Sequence, residues 1–445
     1  MMDTPILDFV RSYRQKEALR LHMPGHKGKG FLGFEELDIT EIDGADSLYE
    51  ARGIIRQSQE NASRLFGCPT FYSTEGCSQC IRAMVYLAML AAKNQGKRPW
   101  IAAARNVHKT FLSAVALLDV DVTWLYGKEQ NTYLSCHLTA EDLEELFSEA
   151  AEMPTAVYIT SPDYLGNTQD VAALAKVCHE HGCLLLVDNA HGSYLRFLQP
   201  SRHPMDLGAD ICCDSAHKTL PVLTGGAYLH IAGQLEELCC QASNALMLFG
   251  STSPSYLILQ SLDSANAYLA DGYETRLAQL VAQLQTAKEH LQNHGYTLHG
   301  DEPLKLTIAP KAYGYTGKEL ADLLLAQEMV CEFSDPDFTV MMLTPENGQD
   351  TLDRLVAALL NIPQKPAITQ APPCFRPCQR ALSVREAALS PSRYISAEDS
   401  LGKVLTSPCV GCPPAVPMVV CGEIIDRDTL EGFAYYGIQG CFVIP

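Results

Sequence analysis

The sequence predicts an α/β protein whose large domain holds a mostly parallel sheet, followed by a small α+β domain and a C-terminal α+β appendage. Between residues 98 and 230, short apolar runs alternate with amphipathic stretches. This pattern is typical of parallel strands that helices cover on both faces. Hydrophobic residues make up 47% of the chain and charged residues 19%, so the apolar content is sufficient for a packed core.

The strands of the large domain are predicted from their apolar runs. They cover Trp100–Ala104, Asp121–Tyr126, Ala156–Thr160, Cys183–Asp188, Ala209–Ser215 and Gly225–Ile231. Between them, Val171–Gly182 has helical spacing and ends on a glycine, the residue that most often closes a helix. A long helical stretch from about residue 255 to residue 295 is expected to lead out of the large domain.

The length of 445 residues exceeds that of one ordinary domain. We expect a large domain over residues 1–270, a small α+β domain over 271–365 and a C-terminal domain over 366–445. The last boundary is predicted by the proline-rich segment Ile362–Pro377, a composition typical of linkers.

Charge and composition restrict the partners and the location. The formal net charge of -19 disfavours nucleic acid and anionic membranes and is neutral toward or favourable to a cationic small molecule. Solubility alone is the alternative interpretation of this charge. The N-terminus lacks the apolar core of a signal peptide, and no apolar run is long enough to span a membrane. We therefore expect a cytoplasmic protein whose 17 cysteines are reduced thiols.

Two CxxC pairs raise the alternative of a metal site. They are Cys77/Cys80 and Cys409/Cys412, and Cys374 with Cys378 could in principle complete a four-ligand zinc site with the second pair. Because single CxxC pairs arise by chance in a cysteine-rich chain, we predict no metal.

The segment Thr74–Cys80 predicts a phosphate-binding loop. It contains Gly76, Cys77 and Ser78 and leads directly into an apolar helix. Free backbone N–H groups and the helix dipole favour an anion at such a place. An ordinary helix cap is the alternative interpretation of this segment taken alone.

Polar residues follow several of the predicted strands. His108 comes after the first of them, where ligand groups of an open α/β sheet usually lie. Asp188 closes the strand LLLVD and could pair with a protonated pyridinium nitrogen. His191 could orient Asp188, contact a cofactor, or simply stabilise the turn.

Lys218 follows a further strand, within DSAHKTLPVLTGG (Asp214–Gly226). A lysine in such a place can form a Schiff base with an aldehyde cofactor, and Ser215 and His217 could reach a phosphate. Phosphate loop, ring-contacting histidine, carboxylate and lysine, in this order along a parallel sheet, predict a pyridoxal 5'-phosphate site. Each feature alone is weak evidence.

The chain resembles the fold-type-I ornithine/lysine/arginine decarboxylases, in the shorter form without an N-terminal receiver-like wing. The resemblance implies a fold similar to that of aspartate aminotransferase, with a seven-stranded type of sheet. The resemblance runs almost end to end, and HMPGHKG with SAHKTLP is its most specific part. The motifs that carry it are LHMPGHKGKG (Leu21–Gly30), RNVHKT (Arg105–Thr110), SPDYLGNTQD (Ser161–Asp170), VDNAHGSYLRF (Val187–Phe197), SAHKTLPVLTGG (Ser215–Gly226), STSPSYLILQSLDSA (Ser251–Ala265), REAALSP (Arg385–Pro391) and PPAVPMVVCGE (Pro413–Glu423).

The resemblance implies a role for each matching residue. Lys218 would form the internal aldimine, Asp188 would pair with the ring nitrogen and His108 would stack on the ring. The residues expected around the phosphate are Cys77, Ser78, Ser215 and His217. Ser251 and Thr252 would lie near the phosphate of a partner subunit, which implies a homodimer with shared active sites.

Three residues depart from the expected family pattern. Glu75 stands where an Asn is expected, Cys77 replaces a hydroxyl residue, and Asn189 replaces a Glu. A carboxylate beside a phosphate is unfavourable unless it points away or finds a cation, and a thiol is a poorer donor than a hydroxyl. These changes bear on cofactor affinity and on the identity of the substrate.

The resemblance implies decarboxylation of a basic amino acid to its amine, in polyamine metabolism, with arginine expected before lysine and ornithine. Lys218 or His217 would return a proton to Cα, and Glu423 is either a partner for the distal cation or a surface carboxylate. Transamination or β-elimination would use the same four features. An inactive family member with a binding or regulatory role is the remaining alternative.

Overall fold

The structure, a computed structural model, describes residues 2–127, 132–407 and 414–445. The α-helices, in chain order, are α1 (Pro5–Gln15), α2 (Ile54–Phe66), α3 (Gly76–Asn94), α4 (Lys109–Leu118), α5 (Ala140–Glu149), α6 (Val171–Glu180), α7 (Ala216–Thr219), α8 (Glu236–Met247), α9 (Tyr256–Ala270), α10 (Tyr273–His294), α11 (Gly317–Leu325), α12 (Gly348–Leu360), α13 (Val384–Ala388) and α14 (Arg427–Tyr436). The strands are β1 (Thr70–Ser73), β2 (Trp100–Ala104), β3 (Asp121–Leu125), β4 (Ala156–Thr160), β5 (Leu184–Asp188), β6 (Ile211–Asp214), β7 (Ala227–Ile231), β8 (Thr297–His299), β9 (Lys305–Ala309), β10 (Phe333–Ser334), β11 (Thr339–Met342), β12 (Arg393–Ser396), β13 (Leu405–Ser407) and β14 (Gly440–Val443).

A seven-stranded sheet with the order β1-β7-β6-β5-β4-β2-β3 confirms the predicted fold class. β2 runs parallel to β3 and β4, and β5 runs parallel to β6. β7 pairs antiparallel with both of its neighbours, β6 and β1. The strands β4 to β7 are almost wholly buried, as their continuous apolar sequences predict.

Most predicted elements match the structure closely. β2 and β4 have the predicted bounds, and the other four predicted strands differ by one or two residues at their ends. β1 was missed because TFYS is short and half polar. The long helix predicted over residues 255–295 is wrong in one respect: it is two helices, α9 and α10, separated at Asp271 and Gly272. Gly272 has φ +69°, a conformation that the interior of a helix cannot contain.

The first of two compact units consists of Met1–Arg98 and Leu184–Arg276. It holds β1, β5, β6 and β7, with α3 packed on β7. Asp263 of α9 fixes the N-terminal helix, because its Oδ2 accepts hydrogen bonds from the backbone N–H groups of Ile6 and Leu7 at 2.9 and 3.0 Å. The fully buried Phe66 ring packs against Tyr228 and His230 of β7.

The second unit consists of Pro99–Cys183 and Leu277–Pro445. Besides β2, β3 and β4 it holds a four-stranded sheet, β10-β11-β9-β8, and a three-stranded sheet, β12-β14-β13, whose described pairings are antiparallel. The domain bounds 1–270, 271–365 and 366–445 stay a prediction. In the part of the chain that the structure describes, no helix has the length and apolar character that a membrane crossing requires.

Candidate active site

The N-terminus of α3 lies where the sequence predicts a phosphate loop. β1 ends at Ser73 and α3 begins at Gly76, whose backbone N–H donates to the carbonyl of Gly225 at 2.7 Å. Gly225 has φ +101°, and a Cβ there would lie 2.9 Å from the carbonyl oxygen of Thr74. The two loops therefore approach too closely for any side chain at residue 225. The side chain of the N-cap residue, Glu75, makes no capping bond to the first turn of α3, which suits this helix end to an anion.

The carboxylate of Glu75 is turned toward a neighbouring loop. It accepts a hydrogen bond from the backbone N–H of Ser251, and Ser251 Oγ accepts another from the N–H of Ser253 at 3.1 Å. Glu75, Ser251 and Thr252 are all exposed. The structure thus brings Ser251 to the phosphate loop of its own chain through Glu75, a residue that departs from the expected pattern.

Asp188 is the last residue of β5 and is 2% exposed. Its Oδ1 accepts a hydrogen bond from the N–H of Ala190 and lies 3.7 Å from Sγ of Cys213, the residue opposite it on β6. Cys77, in the first turn of α3, completes a buried group in which two sulfurs and a carboxylate oxygen lie within 4.8 Å of one another. The sequence order of these residues did not reveal that Cys213 faces Asp188.

Lys218 lies in the short helix α7, which follows β6 directly. Its Nζ is 3.0 Å from Nε2 of His191, so the amine and the histidine of two different motifs share a hydrogen bond. Lys218 is half-buried, whereas His191 and Ser215 are buried. Lys218, His191 and Asp188 therefore belong to one unit, as their order along the parallel strands predicts.

His217 points its ring toward the glycine-containing loop. Its Nδ1 lies 2.9 Å from the carbonyl oxygen of Gly226, and because a carbonyl only accepts, Nδ1 carries the proton. Burial, together with the positive charge of Lys218, lowers the pKa of His217 below its usual value of 6.5, against the opposing effect of the Gly226 carbonyl. His217 is therefore neutral near pH 7.

A buried polar network around Asp214 was not predicted. Asp214 ends β6, and its Oδ2 accepts from Nε2 of His203 at 3.0 Å and from Nε2 of His230 at 3.2 Å. Its Oδ1 accepts from Nδ2 of Asn189 at 2.7 Å. Burial disfavours the charge of Asp214, but these donors outweigh burial and hold the pKa of Asp214 well below its usual range. The only sequence signals were a carboxylate closing the apolar run ICCD and a histidine inside the apolar strand AYLHI.

His108 belongs to the second unit, where it is the N-cap of α4. Its Nδ1 accepts a hydrogen bond from the backbone N–H of Thr110 at 3.1 Å, so this histidine fixes the start of its own helix. Stacking on a cofactor ring stays a prediction for His108.

Glu423 is not a surface carboxylate, and the expectation of an exposed position is wrong. It is 2% exposed, and its Oε2 lies 3.2 Å from the guanidinium of Arg105. The same carboxylate accepts from the backbone N–H of Val420 at 2.8 Å. Cys409 and Cys412 lie outside the described residues, so the predicted absence of a four-cysteine metal site stays a prediction.

Comparison with known proteins identifies the family. The family model described as Orn/Lys/Arg decarboxylase, major domain, matches residues 4–307. The chain belongs to the Orn/Lys/Arg decarboxylase family. The match includes every residue of the candidate site described above in the first unit.

Curated relatives match along nearly the whole chain. A protein of Bacillus subtilis (strain 168) named uncharacterized protein YaaO is 27% identical over 97% of this chain and 93% of its own length. An arginine decarboxylase of the same strain is 28% identical over 96% of this chain and 92% of its own length.

The solved lysine decarboxylase LdcF of Francisella novicida has the same fold. It superposes with a TM-score of 0.80 over 100% of this chain and 81% of that chain, at 15% identity. The serine palmitoyltransferase of Sphingomonas wittichii superposes with a TM-score of 0.56, over 80% of this chain and 82% of that chain, at 13% identity. The fold is that of fold-type-I pyridoxal-phosphate enzymes, as predicted.

Proposed function

We propose that this member of the family is a pyridoxal-phosphate-dependent decarboxylase of a basic amino acid, with arginine as the first substrate to test, then lysine and ornithine. The observation that carries the proposal is the hydrogen bond between Lys218 Nζ and His191 Nε2. Pyridoxal phosphate requires an amine for its aldehyde, a carboxylate for its ring nitrogen and an anion site for its phosphate. The first unit contains all three, in Lys218, Asp188 and the N-terminus of α3. The amine product would belong to polyamine metabolism.

The residues of the first unit fit the cofactor chemically. Gly225 keeps a side chain out of the loop beside the N-terminus of α3, where a Cβ would lie 2.9 Å from the Thr74 carbonyl. That helix end suits a phosphate dianion, the buried Asp188 suits a cationic ring nitrogen, and Lys218 supplies a primary amine. When bound, pyridoxal phosphate would supply an electron sink for the electrons that the departing CO2 leaves behind.

We assign the surrounding residues by the chemistry of their atoms. Gly76, Cys77 and Ser78 in the first turn of α3, with Ser215, would hold the phosphate. His217, also predicted there, has no free proton for it near pH 7, because the Gly226 carbonyl engages Nδ1–H. His191 would orient Lys218 Nζ, and His108 would cover the face of the ring. Asp188 would keep a proton on the ring nitrogen, because a buried carboxylate needs a cationic partner.

Lys218 is our candidate for the proton donor to Cα. His217 was the alternative, but burial lowers the pKa of His217, so near pH 7 its ring has only the Nδ1 proton, which the Gly226 carbonyl engages. Lys218 Nζ carries more than one proton when charged, and His191 Nε2 can hold the amine in one position while a proton leaves it.

The distal cation of the substrate requires a carboxylate other than Glu423. Glu423 already pairs with Arg105 in a buried site, and a third charge would have no place in that pair. The net charge of -19 still favours the approach of a cationic amino acid.

We further propose a homodimer with shared active sites. Large apolar side chains are exposed within a short stretch of the N-terminal sequence, at Leu19, Leu21, Met23, Phe31, Leu32 and Phe34. Such a cluster in a water-facing segment marks an interaction surface. A second copy would cover it. Because Ser251 N–H bonds Glu75 of its own chain, a contact of Ser251 and Thr252 with the phosphate of that copy would require this loop to leave Glu75. We expect sedimentation to show a dimer that Leu21→Ser with Phe31→Ser converts to monomers with loss of activity; a fully active monomer would contradict shared sites.

The test of the reaction uses the full chain reconstituted with pyridoxal phosphate. Each of arginine, lysine and ornithine is supplied with a labelled carboxylate, and CO2 and amine are both quantified. Borohydride treatment should attach a pyridoxyl group to the peptide containing Lys218. Lys218→Ala should abolish both signals, while Lys176→Ala, at an exposed lysine of α6, should retain both.

The competing functions predict other outcomes of the same experiment. Release of a keto acid with stoichiometric pyridoxamine phosphate would indicate transamination. A folded protein that retains no cofactor would indicate a binding or regulatory role. Cofactor retention without CO2 from any basic amino acid would contradict the proposed substrate class.

A further inference from the structure

Two buried groups of potential metal ligands occur in the part of the chain that the structure describes, and both lie in the first unit. One contains Cys77, Asp188 and Cys213, and the other contains His203, Asp214 and His230. In each group the three ligand atoms lie within 4.8 Å of one another. Both groups are hydrogen-bonded within themselves: Cys213 Sγ donates to Asp188 Oδ1 in the first, and His203 and His230 both bond Asp214 Oδ2 in the second. They differ in the proton that a metal would have to displace.

The histidine group is occupied by its own hydrogen bonds. Met205 donates its backbone N–H to Nδ1 of His203 at 3.3 Å, so the ring proton is on Nε2, which donates to Asp214. A metal would need Nε2 without its proton, and the proton would then have to move to Nδ1, against the Met205 N–H. This group is a hydrogen-bonded support for β6 and carries no metal proposal.

The cysteine group has the dimensions of a tetrahedral thiolate site. In a zinc site with a Zn–S distance of about 2.3 Å and a Zn–O distance of about 2.1 Å, a tetrahedral angle separates S and O by about 3.6 Å. Sγ of Cys213 lies 3.7 Å from Oδ1 of Asp188. Cys77 Sγ lies within 4.8 Å of both atoms, and the corresponding S–S separation is about 3.8 Å.

The three ligands come from three rigid elements. Asp188 and Cys213 face each other on the parallel strands β5 and β6, and Cys77 lies in the first turn of α3. They are 2%, 0% and 6% exposed. Ligands on neighbouring strands and a helix keep their separations without help from a loop.

We propose that Cys77, Asp188 and Cys213 form a site for a thiophilic divalent cation such as Zn²⁺. Each thiol would lose its proton to solvent on binding, so that two thiolates and a carboxylate surround the cation and a fourth position stays open to water. If the proposed function is correct, Asp188 is also the partner of the cofactor ring nitrogen. The metal and pyridoxal phosphate would then compete for the same carboxylate.

The test is a metal titration of the cofactor-free full chain, with Zn²⁺ and Co²⁺ as the two probes. Bound Zn²⁺ per chain is measured after gel filtration, and Co²⁺ reports thiolate ligation by charge-transfer absorbance. We expect Cys77→Ala and Cys213→Ala each to lower bound Zn²⁺ by one per chain, or to weaken this site by more than about tenfold. The buried Cys178→Ala and the exposed Cys240→Ala are matched controls that should change neither reading.

A second measurement separates this site from the proposed function. Zn²⁺ added first should slow the borohydride-trapped attachment of pyridoxal phosphate to wild type, but not to Cys213→Ala. Equal zinc stoichiometry and equal cobalt absorbance in wild type, Cys77→Ala and Cys213→Ala would overturn the metal site, whether or not the cofactor binds. Absence of cofactor attachment in metal-free wild type would overturn the proposed function and leave the zinc result intact.

Discussion

The guanidinium of Arg105 lies 3.2 Å from Oε2 of Glu423, and 318 residues of sequence separate the two. Arg105 also donates to the carbonyl oxygens of Pro417 and Met418, each at 2.9 Å. Nearby, the backbone N–H of Lys109 donates to the Ala415 carbonyl at 2.8 Å. The C-terminal segment from residue 415 to residue 423 is thus attached to the chain on both sides of residue 108.

Removing one partner of this buried pair should be strongly destabilising. Glu423→Ala would leave the Arg105 charge without its anion, and such a loss costs about 3–5 kcal/mol. Glu423→Gln keeps an acceptor and should cost less. The control is Glu60→Ala, which breaks an exposed pair with Arg56 worth about 0.5 kcal/mol or less. Urea unfolding measures all three; equal effects of Glu423→Ala and Glu60→Ala would contradict the buried pair.

Decarboxylation should depend far more on Lys218 than on His217. In His217→Asn the amide can still donate to the Gly226 carbonyl, and we expect kcat to fall by less than about tenfold. Loss of the proton donor and anchor in Lys218→Ala should reduce kcat by about a thousandfold or more. Initial rates of CO2 release measure both variants. A larger loss in His217→Asn than in Lys218→Ala would assign the proton to His217.

The stability that the buried Asp263 contributes to the fold should fall as pH rises. Burial raises the pKa of Asp263 from 3.8 to about 6, although the N–H groups of Ile6 and Leu7 and the Ser58 hydroxyl oppose this shift. Because the folded-state pKa is the higher one, the protonated form stabilises the fold below about pH 4. That stabilisation is lost, at about 1 kcal/mol per pH unit, as pH rises to 6.

The variant Asp263→Asn cannot ionise and provides the comparison for that pH dependence. The difference in unfolding free energy, wild type minus Asp263→Asn, should fall from about pH 4 through pH 6 and remain constant above about pH 7. Urea denaturation at fixed pH values measures this difference. A difference that rises with pH would mean that the bonds to Ile6 and Leu7 outweigh burial.

The sequence was sufficient for those features that depend on local pattern. The apolar runs predicted β2 and β4 to the residue, and the carboxyl ends of parallel strands explain why Asp188 and Lys218 belong to one unit. Side-chain partners far apart in sequence have no such signal. His203 and His230 are separated from Asp214 by 11 and 16 residues, and neither spacing is a helical or strand period.

The burial of Glu423, which the sequence did not predict, has the same explanation. Hydrophobic periodicity indicates whether a segment is buried, but not which polar partner a single side chain finds. The carboxylate at the end of PPAVPMVVCGE therefore gives no indication that Arg105, directly after β2, is its partner. Only the folded chain brings Arg105 to Glu423. Similarly, the facing of Cys213 and Asp188 depends on the register of β5 against β6, which one sequence does not specify.

We expect the stability of the fold to require the neutral amide of Asn189. Its Nδ2 donates to Asp214 Oδ1 at 2.7 Å, and Asn189→Asp would place two buried carboxylates at that distance. Ionisation of both at once is unfavourable, so one pKa of the pair rises. We expect a loss of about 2–4 kcal/mol at pH 8, when the shared proton is absent, and a smaller loss at pH 5. The exposed Asn94→Asp should change stability by less than about 0.5 kcal/mol at both pH values.

We expect the negative charge of Glu75 to weaken binding of pyridoxal phosphate. The structure of the predicted phosphate loop should not depend on that charge. Glu75 precedes Gly76 at the helix end that would hold the phosphate, and its carboxylate accepts from Ser251 N–H. Glu75→Gln keeps an oxygen acceptor for Ser251 and removes one negative charge. Because the residue is exposed, we expect a gain of about 0.5–1 kcal/mol, which corresponds to a two- to fivefold lower Kd for pyridoxal phosphate.

Absorbance titrations at low and high salt test this effect, because screening should shrink the gain as ionic strength rises. Glu41→Gln, at another exposed carboxylate of the same unit, is the matched control and should leave Kd unchanged. A weaker affinity in Glu75→Gln would mean that the charged bond to Ser251 orders the phosphate loop more than its charge repels the phosphate. An unchanged affinity at low salt would place the phosphate away from Glu75, and the N-terminus of α3 would then lose its assigned role.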